Sequence, residues 1–109
     1  MLSKKERLNT KAFNRSFSVG ARIHTQSFQC IYTRTADRKI AVVVPKKVVR
    51  HAVHRNKIRR RVYNGVRDVC RMYSCTGTFI FLAKPRIIER TYQEICTEIQ
   101  TICKKVSAQ

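Results

Sequence analysis

The chain has 109 residues, and its 24 lysines and arginines against 6 aspartates and glutamates give a formal net charge of +18. This length predicts one domain over residues 1–109, and the apolar fraction of 43% excludes general disorder. Such a charge repels itself in a folded chain, which favours a polyanionic partner, either nucleic acid or an anionic membrane. The longest apolar runs, 40–44 and 79–83, are too short to span a bilayer. Because the N-terminus carries no apolar secretion segment, we expect a cytoplasmic protein.

The first half of the chain predicts one helix and two strands. Phe13 and Phe17 are four residues apart and share one face of a helix over about residues 4–17. Residues 28–33 alternate as in a half-buried strand, and residues 40–44 form a β-branched apolar run typical of a central strand. The turn residues between these two strands predict that they pair as a hairpin.

The second half predicts a long helix, a strand and a final helix. A stripe at helical spacing marks a helix over about residues 48–73, and it consists of Ile58, Val62, Val66, Val69 and Tyr73. Residues 78–83 form another buried strand. A second stripe, Tyr92, Ile95, Ile99, Ile102 and Val106, marks the last helix. The predicted fold is therefore an α+β, two-layer sandwich in the order α-β-β(-β)-α-β-α, with helices mainly on one face of the sheet.

The run over residues 46–61 is dominated by Lys, Arg and His. Lys and Arg suit phosphate because their charge is permanent, and Arg can bind two oxygens at once. Asn56 can add a hydrogen bond to a sugar, phosphate or base edge. The run has no acidic residue to balance it, so an anion lying on this face is favoured over a merely solvated charged face. Arg55 falls on the apolar side of the helix, where it either faces a cleft or partner or extends to solvent.

This run resembles the signature of the bacterial ribonuclease P proteins, a Lys pair followed by A-x-x-R-N-x-I-[KR]-R. The matching residues are Lys46, Lys47, Ala52, Arg55, Asn56, Ile58, Arg59 and Arg60. Further matches are Arg7-Leu8, the spacing of Phe13, Phe17 and Gly20, and the strand segments 39–44 and 79–84. The family usually carries an Arg followed by Glu one turn later, where this chain has Tyr63 and Asn64. Arg61 or Arg67 can take the place of that arginine.

The resemblance implies a left-handed βαβ crossover and separate roles for the RNA and the protein subunit. The RNA subunit, with Mg²⁺, hydrolyses the phosphodiester bond, and the protein binds that RNA and the 5′ leader of precursor tRNA. The chain is then an endoribonuclease only as part of the holoenzyme, with no catalytic residue, metal, cofactor, membrane or obligate protein partner of its own. Carried over by position, the contacts to the catalytic RNA fall on Lys46, Lys47, Arg55, Asn56, Arg59, Arg60 and Arg67, and those to the leader on Phe13, Phe17 and Tyr32. Core packing is the alternative for the three rings.

Three other classes of function compete with this interpretation. An autonomous metal-dependent nuclease needs clustered carboxylates, and the six in this chain are scattered. His51 and His54 could act as acid and base, or simply lie beside phosphate. A DNA-binding helix-turn-helix is disfavoured because the basic helix lies between two strands. A non-catalytic, ribosomal-type RNA-binding protein shares this size and charge and stays the alternative.

The five cysteines are odd in number and lack zinc-site spacing. Cys70 and Cys75 are close in sequence, but nothing else in the sequence pattern completes a four-ligand set. We therefore expect reduced thiols that act as small buried hydrophobic groups, with a metal or disulfide role as the alternative.

Overall fold

The computed structural model describes residues 8–73 and 75–107, and its elements follow the predicted α+β order with the additional strand present. They are α1 (Thr10–Val19), β1 (Ala21–His24), β2 (Phe28–Thr33), β3 (Lys39–Val43), α2 (Ala52–Tyr73), β4 (Thr78–Ala83), a 3-10 turn (Pro85–Glu89) and α3 (Tyr92–Ser107). Within these described residues, no helix is long and apolar enough to cross a membrane.

In the described part of the chain, four strands form one sheet in the order β1-β2-β4-β3. β2 is antiparallel to both β1 and β4, whereas β3 is parallel to β4. The predicted hairpin between residues 28–33 and 40–44 is therefore wrong, because β4 lies between those strands. β4 is buried along almost its whole length, and such a strand takes a central place with a neighbour on each edge. The hairpin of this sheet is instead β1–β2. β3, α2 and β4 form a βαβ unit, whose left-handed crossover stays a prediction.

The main core lies between one face of the sheet and helices α2 and α3. The sheet contributes Phe28, Cys30, Ile40, Val42, Phe79 and Phe81, and the helices contribute Val62, Val66, Val69, Ile95, Ile99 and Ile102. Gly65 allows α2 to approach α3 closely, since a Cβ there would lie only 3.2 Å from Cδ1 of Ile99. The apolar stripes predicted for the two helices thus meet the sheet and each other.

Helix α1 covers the opposite face of the sheet. Ile31 and Ile80 are opposite each other in the β2–β4 register, point away from the main core, and are 0% exposed. α1 contacts both of these strands, and the chain after it passes so close that a Cβ on Gly20 would lie 2.5 Å from Cγ2 of Ile31. One face of the sheet is therefore covered by α2 and α3, whereas α1 covers only part of the other face.

Capping groups determine where the helices begin. α1 begins after Asn9, whose Oδ1 accepts a hydrogen bond from the backbone N–H of Ala12 at 2.8 Å. Residues 4–7 of the predicted helix lie outside the described residues. α2 begins at Ala52 rather than at about residue 48 because the carbonyl of Pro45 accepts hydrogen bonds from Val48 and Val49 in a preceding turn.

Candidate nucleic-acid interface

The turn over residues 45–51 carries Lys46 and Lys47, both exposed, and Arg55 holds it against α2. Arg55 lies on the apolar side of the helix, as predicted, and its Nη1 donates hydrogen bonds to the carbonyl oxygens of Val49 at 3.0 Å and Arg50 at 2.7 Å. The guanidinium therefore binds the backbone of the turn rather than extending to solvent. Arg55 positions the lysine pair relative to the helix, and its predicted contact with RNA stays a prediction.

The outer face of α2 presents Asn56, Arg59 and Arg60 together. They line one shallow pocket with Tyr63, and Oδ1 of Asn56 accepts a hydrogen bond from Nη1 of Arg59 at 2.5 Å. This bond leaves the NH₂ group of Asn56 to donate to an external acceptor. Tyr63, where the family usually has an arginine, accepts a hydrogen bond at its hydroxyl from the N–H of Val42 on the edge strand β3 at 3.3 Å. It thus protects a sheet edge.

Arg67 lies farther along α2 and is partly neutralised by Asp68. The two side chains are 3.5 Å apart and about half exposed, at 40% and 47%. The Tyr92 hydroxyl donates a hydrogen bond to Asp68 at 2.5 Å, and this bond is the main reason that the pKa of Asp68 is lowered. Because a carboxylate is held beside it, Arg67 offers a phosphate a weaker positive field than Arg60 does.

His51 and His54 are exposed at the beginning of α2, with ring centroids 5.7 Å apart in an edge-to-face arrangement. His54 lines a pocket together with Arg50, Lys57 and Arg61. Three cations line this pocket beside apolar side chains, and their charge favours phosphate contact for the His54 imidazole, the second of the two roles considered above.

The exposed aromatic group of α1 is Phe17, which is 37% exposed. Its ring stacks on Phe13 with centroids 5.9 Å apart. Arg22 of β1 also lies against this ring, with Cζ 5.1 Å from the ring centroid and Nη2 donating to the Phe17 carbonyl at 3.3 Å. Single-stranded nucleic acid binds to such aromatic faces beside cations. Sequence reasoning missed Arg22, because one cation among 24 has no distinguishing pattern.

Tyr32 does not lie with the two phenylalanines. Its ring centroid is 5.0 Å from that of Phe79 on the core face of the sheet, and its hydroxyl donates a hydrogen bond to the Thr76 carbonyl at 3.2 Å. The prediction that the three rings line one cleft is corrected here: alternation along β2 points Tyr32 to the side of α2 and α3, whereas α1 covers the other side. The face that Tyr32 shares with Phe28 and Cys30 is core.

A groove on the α1 side of the sheet is lined by two lysines, and the exposed Phe17 ring lies on the same side of the sheet. Gln29 and Leu82 are register partners on that face, and they line the groove with Lys47 and Lys84. Nζ of Lys84 donates to the Thr25 carbonyl at 2.8 Å, which fixes the ammonium group at the groove while leaving it two further donors. The basic run was predicted for catalytic RNA alone, yet Lys47 lines this groove.

Comparisons with known proteins identify the family and the fold of this chain. The family model Ribonuclease P matches residues 2–107. Among solved structures, the Staphylococcus aureus RNase P protein is 16% identical with a TM-score of 0.72, covering 95% of this chain and 96% of that one. The Thermotoga maritima RNase P protein is 18% identical with a TM-score of 0.72, covering 92% and 96%. A mutant of the S. aureus protein is 21% identical with a TM-score of 0.76, covering 95% and 90%. The chain belongs to the ribonuclease P protein family and has the fold of its bacterial members.

Proposed function

We propose that this subunit binds the catalytic RNA of ribonuclease P with one surface and the 5′ leader of precursor tRNA with another, and so promotes endonucleolytic removal of the leader. The RNA subunit and its Mg²⁺ supply the hydrolytic chemistry. The observation that carries the proposal is the exposed Phe17 ring beside Arg22, on the same sheet face as the groove lined by Lys47 and Lys84.

The leader surface combines a stacking ring with a cationic groove. Phe17 offers the exposed part of its ring to an unpaired base, and one stacked base contributes about 1–3 kcal/mol in single-strand binding. Arg22 and the two groove lysines supply positive charge for the adjoining phosphates. A paired RNA helix cannot splay its bases onto a ring, so this surface favours a single strand.

The surface for the catalytic RNA is the outer side of α2 with the turn before it. Asn56 and Arg60 are exposed there, and Arg59 is half-buried beside them. Lys46 extends the positive surface into the turn. Phosphate contacts from such side chains position a protein on RNA without reading its sequence, as assembly with one structured RNA requires.

Three of the carboxylates have structural partners, which accords with chemistry carried by the RNA subunit. Asp68 binds Tyr92, Glu94 binds the beginning of α3, and Glu98 accepts hydrogen bonds from the backbone N–H and hydroxyl of Ser27 at 2.7 and 2.6 Å. These side chains stabilise the fold, and the proposal gives none of them a role in hydrolysis.

Reconstitution tests the proposal. Purified protein is mixed with ribonuclease P RNA from the same organism, and 5′ cleavage of precursor tRNA is measured at low Mg²⁺. We expect cleavage that neither component achieves alone. Tight RNA binding without any effect on cleavage would contradict the proposal and leave the ribosomal-type RNA-binding function in its place.

Phe17→Ala separates leader binding from general RNA binding. We expect the holoenzyme to bind precursor tRNA about 5- to 100-fold more weakly, the equivalent of one lost stacking contact, with mature tRNA little affected because it has no leader. Val19→Ala, which removes another exposed apolar side chain from α1 (68% exposed), is the matched control. Equal losses for precursor and mature tRNA would show that Phe17 serves packing instead.

A further inference from the structure

Three thiols meet in the core near the C-terminal ends of α2 and α3. The Sγ atoms of Cys70, Cys75 and Cys103 all lie within 4.8 Å of one another, and the residues are only 3%, 4% and 2% exposed. Cys70 belongs to α2, Cys75 to the connection after it, and Cys103 to α3. The fold thus adds Cys103 to the Cys70 and Cys75 pair that the sequence brings close together.

We propose that these three cysteines bind a thiophilic d¹⁰ metal ion, Cu⁺ or Zn²⁺, as thiolates. Soft sulfur ligands select these ions over hard cations such as Mg²⁺. With a metal–sulfur bond of about 2.3 Å, three thiolates around one ion lie about 4 Å apart. Since the sulfurs already lie within 4.8 Å, small side-chain adjustments close the site.

The surroundings of the cluster favour a cation over separate thiolates. Cys70 and Cys103 lie near the C-terminal ends of α2 and α3, where the helix dipoles present partial negative charge. Metal binding displaces the thiol protons to solvent, one for each thiolate formed.

Ser107 suggests how the two ions differ at this site. Its side chain lies close to Cys75 and belongs to an exposed residue, so the cluster lies just beneath the surface at this point. Among the described residues, no fourth cysteine, histidine or carboxylate joins the three sulfurs. Cu⁺ is satisfied by three thiolates, whereas Zn²⁺ prefers four ligands and would take the Ser107 hydroxyl or a water molecule as the fourth.

Metal titration of the full-length, reduced protein under anaerobic conditions tests the site. Cu⁺ and Zn²⁺ are each supplied in competition with a chromogenic chelator, and X-ray absorption then counts the ligands. We expect one equivalent of at least one ion, with three sulfurs for Cu⁺ or three sulfurs and one oxygen for Zn²⁺. Cys103→Ala should weaken binding by at least about 100-fold, because losing even an outer partner of a ligand costs roughly 10- to 100-fold.

The matched control is Cys96→Ala, which removes a half-buried thiol from the same helix outside the cluster and should leave metal binding unchanged. If circular dichroism shows that Cys103→Ala fails to fold, Cys75→Ala removes a ligand from the connection outside both helices. The proposal is overturned if neither ion competes with the chelator, or if a folded variant lacking Cys103 or Cys75 binds as the wild type does. Mass spectrometry that finds a disulfide within the cluster, with no metal bound after reduction, also overturns it.

Discussion

Replacing Arg55 with methionine should destabilise the fold as well as weaken RNA binding. The substitution keeps a long side chain but removes the two hydrogen bonds, at 3.0 and 2.7 Å, that hold the carbonyls of Val49 and Arg50. A hydrogen bond from a charged donor contributes about 1.5–3 kcal/mol. Because this guanidinium is only partly buried, the two bonds together contribute less than twice that value, and we expect the free energy of unfolding to fall by about 2 kcal/mol. Arg60→Met removes the same charge from an exposed position of α2 and should change stability by less than about 0.5 kcal/mol.

Urea denaturation followed by circular dichroism measures this difference. With an m value of about 2 kcal/mol per M, a loss of 2 kcal/mol lowers the unfolding midpoint by about 1 M at unchanged slope. Both variants should bind ribonuclease P RNA more weakly, Arg60→Met through a lost phosphate contact and Arg55→Met also through the released lysine pair. An unchanged midpoint for Arg55→Met, together with weaker RNA binding, would refute the positioning role and make Arg55 a direct RNA contact.

Three further measurements test other parts of the structure. If roughly 6 to 10 phosphates are neutralised, RNA affinity in filter binding should fall by about 10³ to 10⁵ between about 50 and 200 mM salt; a flat response contradicts a phosphate-dominated interface. Gly77 has a φ of 119°, and a Cβ there would lie 2.5 Å from Cε1 of Tyr32. Gly77→Ala should therefore cost about 2–4 kcal/mol in urea denaturation, and an unchanged midpoint contradicts this contact. The N–H of Thr91 and the Arg90 guanidinium hold the pKa of Glu94 below its usual 4.5. Its stabilising contribution is thus present above pH 4.5 and is lost as pH falls through the lower folded-state pKa, so Glu94→Gln should weaken the acid dependence of the unfolding midpoint.

Local periodicity predicted most elements, and the pairing of the strands was the part that it could not supply. β4 was predicted over the residues it occupies, and α2 ends at Tyr73 as its apolar stripe indicates. Alternation reports which side chains share a face of a strand but not which strand lies beside it. The predicted order allows an additional strand before α2, but its residues could not be located, because a four-residue edge strand with one buried residue, Ile23, has too little pattern to detect.

Alternation along a strand, which does not tell the two faces of the sheet apart, also explains why Tyr32 lies apart from Phe13 and Phe17. Alternation along residues 28–33 places Tyr32 on one face with Phe28 and Cys30, and core packing was the alternative to a place for Tyr32 in the leader cleft. The choice depends on which side of the sheet α1 covers, and this follows from long-range packing of α1 on Ile31 and Ile80. No local pattern contains that information, so Phe17 and Tyr32 could be assigned to one cleft until the sheet was assembled.

On the helix, the residues of the Arg-Asn signature face two directions and serve two functions. At about 100° per residue, Arg55 aligns with the buried stripe of Val62 and Val66, while Asn56 and Arg60 lie roughly 100° and 140° away from it. The inward arginine therefore binds the preceding turn, and the outward residues are left for RNA. Loss of RNA binding alone cannot distinguish these roles, because releasing the turn also displaces Lys46 and Lys47. A stability measurement beside each binding measurement separates them, since an outward residue can be removed without cost to the fold.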